Sequence, residues 1–194
     1  MEENTNLSNQ VIDNIYYNVN DINGDGYDAA EQAIVLNSTT SEEQMASIQN
    51  VKMGDDALQT NYNGIIFEVP TGSGTITVDA KTKGSHVLNI QIGDAAPIQV
   101  TKSDRGTVVV PYQVTAPTYV YLYASSSAAA FAPVMTRASK RANAAENSLL
   151  LYGYRLDIRN ILGDVNGNGS VDIGDAVSIV NYLVGKESSN FVAK

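Results

Sequence analysis

Between Ile65 and Ala124 the chain is written in short runs of β-branched residues separated by turn signals. Ile65–Val69 stops at Pro70, and Thr71-Gly72-Ser73-Gly74 follows as a turn. Thr75–Ala80 then alternates Ile76 and Val78 with Thr75, Thr77 and Asp79. Lys83-Gly84 opens another turn before Val87–Ile92, where Leu88, Ile90 and Ile92 alternate with Asn89 and Gln91. Ile98–Thr101, Thr107–Val110 and Thr118–Ala124 continue the series, and Leu149–Ile158 reads as its last strand. Short strands at intervals of roughly 8–12 residues have few solutions, and they predict an antiparallel β-sandwich of jelly-roll type. The chain of 194 residues, 43% of them hydrophobic, is long enough to give such a sandwich a core.

Charge is distributed unevenly. Residues 1–51 hold nine acids and no Lys or Arg, whereas the remaining 143 residues hold 12 of each sign. A net charge of −9 without a basic cluster makes nucleic acid a poor partner, because phosphate contact needs grouped Lys and Arg. There is no Cys and a single His, His86, so disulfides, thiolate nucleophiles and zinc clusters are excluded. No nucleophile-elbow motif accompanies His86, which reads as a turn residue at a strand entrance beside Lys83-Gly84-Ser85. No apolar run approaches the roughly 18 residues that would span a bilayer. Met1-Glu-Glu-Asn lacks the features of a signal peptide, so secretion would imply a leader already removed and Met1 added.

In the first quarter, Thr40 through Ile48 reads as a short helix, with Thr40 as cap and Glu43 at the capping-box position. Residues 1–10 are expected to be a flexible N-terminus and 11–158 the sandwich. The Ala/Ser-rich stretch 125–148 is expected to be a long surface loop, with a short helical turn at Ala144–Asn147.

The segment richest in chemistry is Asp164-Val165-Asn166-Gly167-Asn168-Gly169-Ser170-Val171-Asp172-Ile173-Gly174-Asp175. Oxygen-bearing side chains stand at loop positions 1, 3, 5, 9 and 12 as Asp164, Asn166, Asn168, Asp172 and Asp175. Gly169 holds position 6, where the chain must turn sharply, and Ser170 at position 7 offers its carbonyl. Calcium takes about six to eight oxygens, and this spacing lets one loop wrap it. Val171 is expected to point into the core. Val177, Val180 and Val184 then fall at i, i+3 and i+7, with Ile179 and Leu183 alongside, as an amphipathic helix ending at Gly185.

A calcium loop running into one apolar helix resembles a type I dockerin repeat, over Gly163 to about Gly185. The resemblance implies a calcium-binding, EF-hand-like half-module over 160–194, a cohesin-like protein partner, and an extracellular or cell-surface protein of the kind attached to polysaccharide degradation. Dockerins normally carry two such repeats packed antiparallel, and one lies here. Ile173-Gly174 also stands at positions 10 and 11, where cohesin-recognising dockerins often have hydroxyl residues. The chain therefore reads as a truncated C-terminal piece of a longer protein. The stretch Asn63–Val78 resembles accessory β-sandwich modules near the C-terminus of large bacterial surface proteins, a fold class shared with carbohydrate-binding modules.

A second loop, Asp21-Ile22-Asn23-Gly24-Asp25-Gly26-Tyr27-Asp28, has similar spacing but Ala29 at position 9 and Gln32 at position 12. It is either a calcium site using Asp21, Asn23, Asp25, the carbonyl of Tyr27 and Glu31, or a solvated acidic turn. Tyr119, Tyr121 and Tyr123 share one strand face, either as a solvent-facing row that stacks on sugars or, the favoured reading, as partly buried rings with paired hydroxyls. Tyr16, Tyr17, Tyr152 and Tyr154 would extend either version. Glu68 and Asp79 are the only acids in the first two strands of the series, and nothing suggests that they converge as a glycosidase pair would. The expectation is a non-catalytic calcium-binding interaction module. A carbohydrate-binding module, using the tyrosine face or the acidic loop, and a glycoside hydrolase fragment remain as alternatives.

Overall fold

The structure is a computed structural model that describes residues 7–19, 25–49, 51–126, 147–159, 164–165 and 171–185. The chain is mainly β. It begins with β1 (Leu7–Ile12), β2 (Ile15–Val19), β3 (Gly26–Asp28) and β4 (Ala33–Leu36), followed by helices α1 (Glu42–Ile48) and α2 (Asp56–Asn61). Then come β5 (Gly64–Val69), β6 (Gly72–Lys83), β7 (His86–Ile92), β8 (Ile98–Val100), β9 (Gly106–Val114), β10 (Thr118–Ser126) and β11 (Ser148–Arg159), and last the helix α3 (Ile173–Leu183). One sheet has the order β1-β2-β5-β10-β7-β8 and the other β3-β4-β11-β6-β9. The registered pairs are antiparallel throughout.

All seven strands expected from residue 65 onward are present. β6 is longer than its sequence suggests: Gly72-Ser73-Gly74, expected to be a turn, is its first segment, and its twelve residues alternate buried and half-buried. Four further strands precede them. The hairpin β1–β2 pairs Ile12 with Ile15, leaving Asp13-Asn14 as a two-residue loop with φ of 51° and 61°. Both residues tolerate left-handed backbone, as the favoured hairpin turn requires. Leu7–Gln10, expected to be flexible, thus belong to β1, anchored by Leu7, which is almost wholly buried.

The chain divides into two compact units, one of residues 1–68, 78–108 and 119–154, the other of residues 69–77, 109–118 and 155–194. In the first unit the two sheets face each other, and the Phe67 ring of β5 stacks on the Tyr154 ring of β11 with centroids 4.5 Å apart. The opposite face of the first sheet is also covered. Met45 and Ile48 from α1 and Leu58 from α2 pack with Tyr16, Ile66, Tyr121 and Tyr123. A sheet buried on both faces carries near-continuous apolar strands instead of alternating ones, which explains the composition of Tyr119–Ala124.

Local chemistry places the two helices. Ser41, not Thr40, is the N-cap of α1, and its hydroxyl accepts from Gln44 N while the Gln44 side chain accepts from Ser41 N, closing a capping box. Thr40 instead joins the chain to Asn63, accepting from its N–H at 3.1 Å. The buried Asn18 amide donates to the carbonyls of Leu58, Gln59 and Tyr62, so β2 satisfies the C-terminal end of α2.

His86 is the first residue of β7 and is buried, with Nε2 2.8 Å from the carbonyl of Asn37. Burial lowers its pKa from 6.5, and the bond to the Asn37 carbonyl and the nearby Asp25 only partly oppose this. The neutral ring is therefore the folded form, and the unfolded chain binds the proton more readily. Stability is expected to fall as pH drops below about 6.5 toward the lower folded-state value, and His86→Gln should flatten that slope. Denaturant midpoints measured at pH 7 and pH 5.5 check this; equal slopes in both proteins would refute it.

Candidate metal centre

The described part of the C-terminal loop is its two ends. Asp172 is the N-cap of α3, with Oδ1 accepting from Gly174 N at 2.7 Å. Asp175 reaches back, Oδ2 accepting from Asp172 N at 2.7 Å, and the two residues form a capping box. Its other oxygen, Oδ1, accepts from Val165 N at 2.8 Å. Loop positions 2 and 12 are thus drawn together by the carboxylate of Asp175, a residue only 3% exposed. Asp172 at the N-cap and Asp175 in the first turn also complement the positive end of α3.

This closure suits a cation. The predicted donors are all oxygens, which fits a hard ion, and the carboxylate at position 12 already sits where the two ends of the loop meet. Asn166, Asn168 and Ser170 lie outside the described residues. The sequence reading errs at position 8: Val171 is 59% exposed and does not enter a core. The helix follows as expected and stops at Gly185, whose φ is 70°. Its apolar residues face solvent, Val177, Val180, Leu183 and Val184 all being more than half exposed.

At the N-terminal loop, Asp21 and Asn23 lie outside the described residues. Asp25 is not solvated; it is 3% exposed, and its carboxylate accepts from the N–H groups of Asn37 and Ser38 and from the Ser38 hydroxyl. Tyr27 lies in β3, paired with Ile34. Glu31 pairs with Lys83 at 3.5 Å and accepts from the Tyr152 hydroxyl at 3.4 Å. Among the described residues no cluster of three or more acidic or His side chains is positioned to hold a metal.

The tyrosine row has no solvent face. Tyr121 and Tyr123 are 2% and 3% exposed beneath α1 and α2, and Tyr119 is partly buried against the same cluster. Tyr62 packs edge-on against both rings at about 6 Å, and Tyr123 donates to Gln91 at 3.2 Å. Burial pushes the Tyr123 hydroxyl up to about 12. Glu68 is exposed on β5, and Asp79 on β6 is held by Arg105 at 2.6 Å, so each has an ordinary surface setting. Residues 127–146, most of the expected long loop, lie outside the described residues. Asn147 at its far end accepts from Ser85 N at 2.7 Å.

With this geometry in place, comparison with known proteins is informative at the C-terminus. Residues 162–194 match the family model for the Dockerin type I domain. The chain ends in a dockerin. A β-rich domain precedes it. No curated protein matches the chain. Among solved structures, an acetyl xylan esterase from the rumen bacterium Butyrivibrio proteoclasticus aligns at 18% identity and a TM-score of 0.29, over 50% of this chain and 25% of its own. A likeness that faint carries no argument. The dockerin match supports a calcium-binding protein-interaction module at the C-terminus, and among the described residues no helix is long and apolar enough to cross a membrane.

Proposed function

We propose that this chain is a non-catalytic part of a larger extracellular bacterial protein, with a β-rich domain of about residues 7–159 carrying a dockerin half-module at 160–194 that attaches it to a cohesin-like partner. The match at 162–194 carries this reading, and the solvent-facing apolar side of α3 supports it. Calcium would be held by Asp164, Asn166, Asn168, Asp172, Asp175 and the carbonyl of Ser170. The ion supplies positive charge at which these oxygens converge, and binding energy then becomes local folding energy. Asp175 links the loop ends, Asp172 starts α3, and Val177, Val180 and Val184 present the apolar surface.

The test is limited proteolysis with hydrogen exchange on the intact chain, in calcium and in EDTA. Chelation is expected to raise cleavage and exchange within 164–185 while β5, β7 and β10 stay protected. Equal protection of 164–185 in both conditions would overturn the calcium-ordered reading. Co-elution with a cohesin in calcium, lost in EDTA, tests the partner.

A further inference from the structure

We propose that the cleft between the two sheets of the first unit is a binding site for a neutral saccharide. It has a volume of about 440 Å³, within the range of small-molecule sites at roughly 300–1,000 Å³. Tyr17 from β2, Tyr27 from β3, and Tyr152 and Tyr154 from β11 line it, together with Gln32 in the turn before β4. The floor is aliphatic, with Ile65 and Leu122 contributed by one sheet and Ile34 and Leu151 by the other.

The lining selects the ligand by exclusion. None of these residues is charged, so an anion or cation would enter a low-dielectric site without a counter-charge. A purely apolar ligand would desolvate the Tyr27 hydroxyl and the Gln32 amide while offering neither a partner. What suits the Tyr27 hydroxyl, the Gln32 amide, three tyrosine hydroxyls already engaged at one end and an aliphatic floor is an uncharged molecule with many hydroxyls and flat apolar faces. A pyranose ring has both, and tyrosine offers a planar apolar body with a polar tip to match.

The aromatic walls are held in place before any ligand arrives. Tyr154 is stacked on Phe67 with an interplanar angle of 9°, and its hydroxyl and that of Tyr17 are hydrogen-bonded to each other. Tyr152 has the Arg105 guanidinium 4.1 Å above its ring and the Glu31 carboxylate on its hydroxyl. Arg105 is in turn fixed by Asp79, and Glu31 is paired with Lys83. The charges thus brace Tyr152 from outside the lining, and rings ordered in advance lose little freedom on binding. Gln32 adds a second sign. Its φ is 55°, a left-handed backbone unusual for a residue other than Gly, Asn or Asp, and glycine would fit the turn with less strain.

Among the described residues, none of the dockerin segment lines the cleft, so saccharide binding should be independent of calcium. The intact chain is run by affinity electrophoresis through gels containing xylan, glucomannan or mixed-linkage glucan, with polygalacturonate as an anionic comparison, each with and without EDTA. Retardation by at least one neutral polymer, unaffected by EDTA, is expected. Tyr152→Ala and Gln32→Gly should each weaken it tenfold or more, and Gln32→Gly should do so with an unchanged or higher melting temperature, because it removes an exposed side chain and relieves the left-handed turn. No retardation by any neutral polymer, retardation by polygalacturonate alone, or retardation that survives Gln32→Gly would overturn the assignment.

Discussion

Asp164→Ala and Asp175→Ala are each expected to remove calcium binding at the C-terminal loop, but to differ in what they do to the metal-free protein. Each deletes an anionic ligand at one end of the loop. For a site that starts near 10⁻⁴–10⁻³ M, as extracellular modules commonly do, a loss of about a hundredfold carries it beyond titration. Asp175 does more than hold metal. Its carboxylate accepts from Val165 N and Asp172 N, so Asp175→Ala also breaks the capping box and the tie between the loop ends. Hydrogen bonds to a charged group contribute about 1.5–3 kcal/mol each, and losing two should unravel the first turn of α3 even without calcium. Asp164 takes no part in that capping box, so the first turn of the apo helix should be less disturbed in Asp164→Ala than in Asp175→Ala. Calorimetric titration of metal-stripped protein, with amide exchange across 171–185, separates the two effects. Unchanged calcium affinity in both variants would refute the ligand assignment.

Gly64→Ala is expected to be strongly destabilising to the β-rich domain. A Cβ at Gly64 would collide with the backbone carbonyl of Leu122 and come within 2.7 Å of the Tyr62 hydroxyl and 2.9 Å of its ring. Neither neighbour can yield. Leu122 is in β10, paired with Ile90 of β7, and its carbonyl also lies 2.8 Å from the Tyr62 hydroxyl. The Tyr62 ring is wholly buried between α2 and the sheet, wedged against Tyr121 and Tyr123. Overpacking costs about 1–3 kcal/mol where side chains can adjust, and a backbone collision belongs at or above the top of that range. At about 2–4 °C per kcal/mol for a chain of this size, the melting temperature should drop by about 10 °C. A change of less than about 2 °C would mean that the Tyr62–Leu122 contact is far softer than its geometry implies.

The strands from Ile65 to Ile158 were legible because each carries its own signal. Alternation or continuous β-branching between Gly, Pro and Asn turns is local information, and it survives in the fold almost unchanged. The four strands before Thr40 were not recognised. Asp13-Asn14 between Ile12 and Ile15 is a hairpin signal, but the Asn-rich, acidic surroundings of β1 and β2 masked it. Helix α2 has six residues, too few to show a period, and it owes its place to Leu58 and to the Asn18 amide, partners distant in the chain. Thr40 and Ser41 are both plausible caps; the contact of Thr40 with Asn63, 23 residues away, leaves the role to Ser41.

By itself the sequence determined the calcium-type loop, the amphipathic helix after it, and the β character of what precedes them, because spacing and periodicity are properties of consecutive residues. Only the tertiary structure decided which tyrosines meet solvent. The sequence left Tyr119, Tyr121 and Tyr123 two readings and favoured burial; α1 and α2 close over them, because a sheet with apolar residues on both faces is stable only when both are covered. Tyr17, Tyr27, Tyr152 and Tyr154, scattered over more than a hundred residues, converge on one cleft because β2, β3 and β11 are brought together by two facing sheets. Such convergence is set by strand pairing at long range, and no window of neighbouring residues contains it.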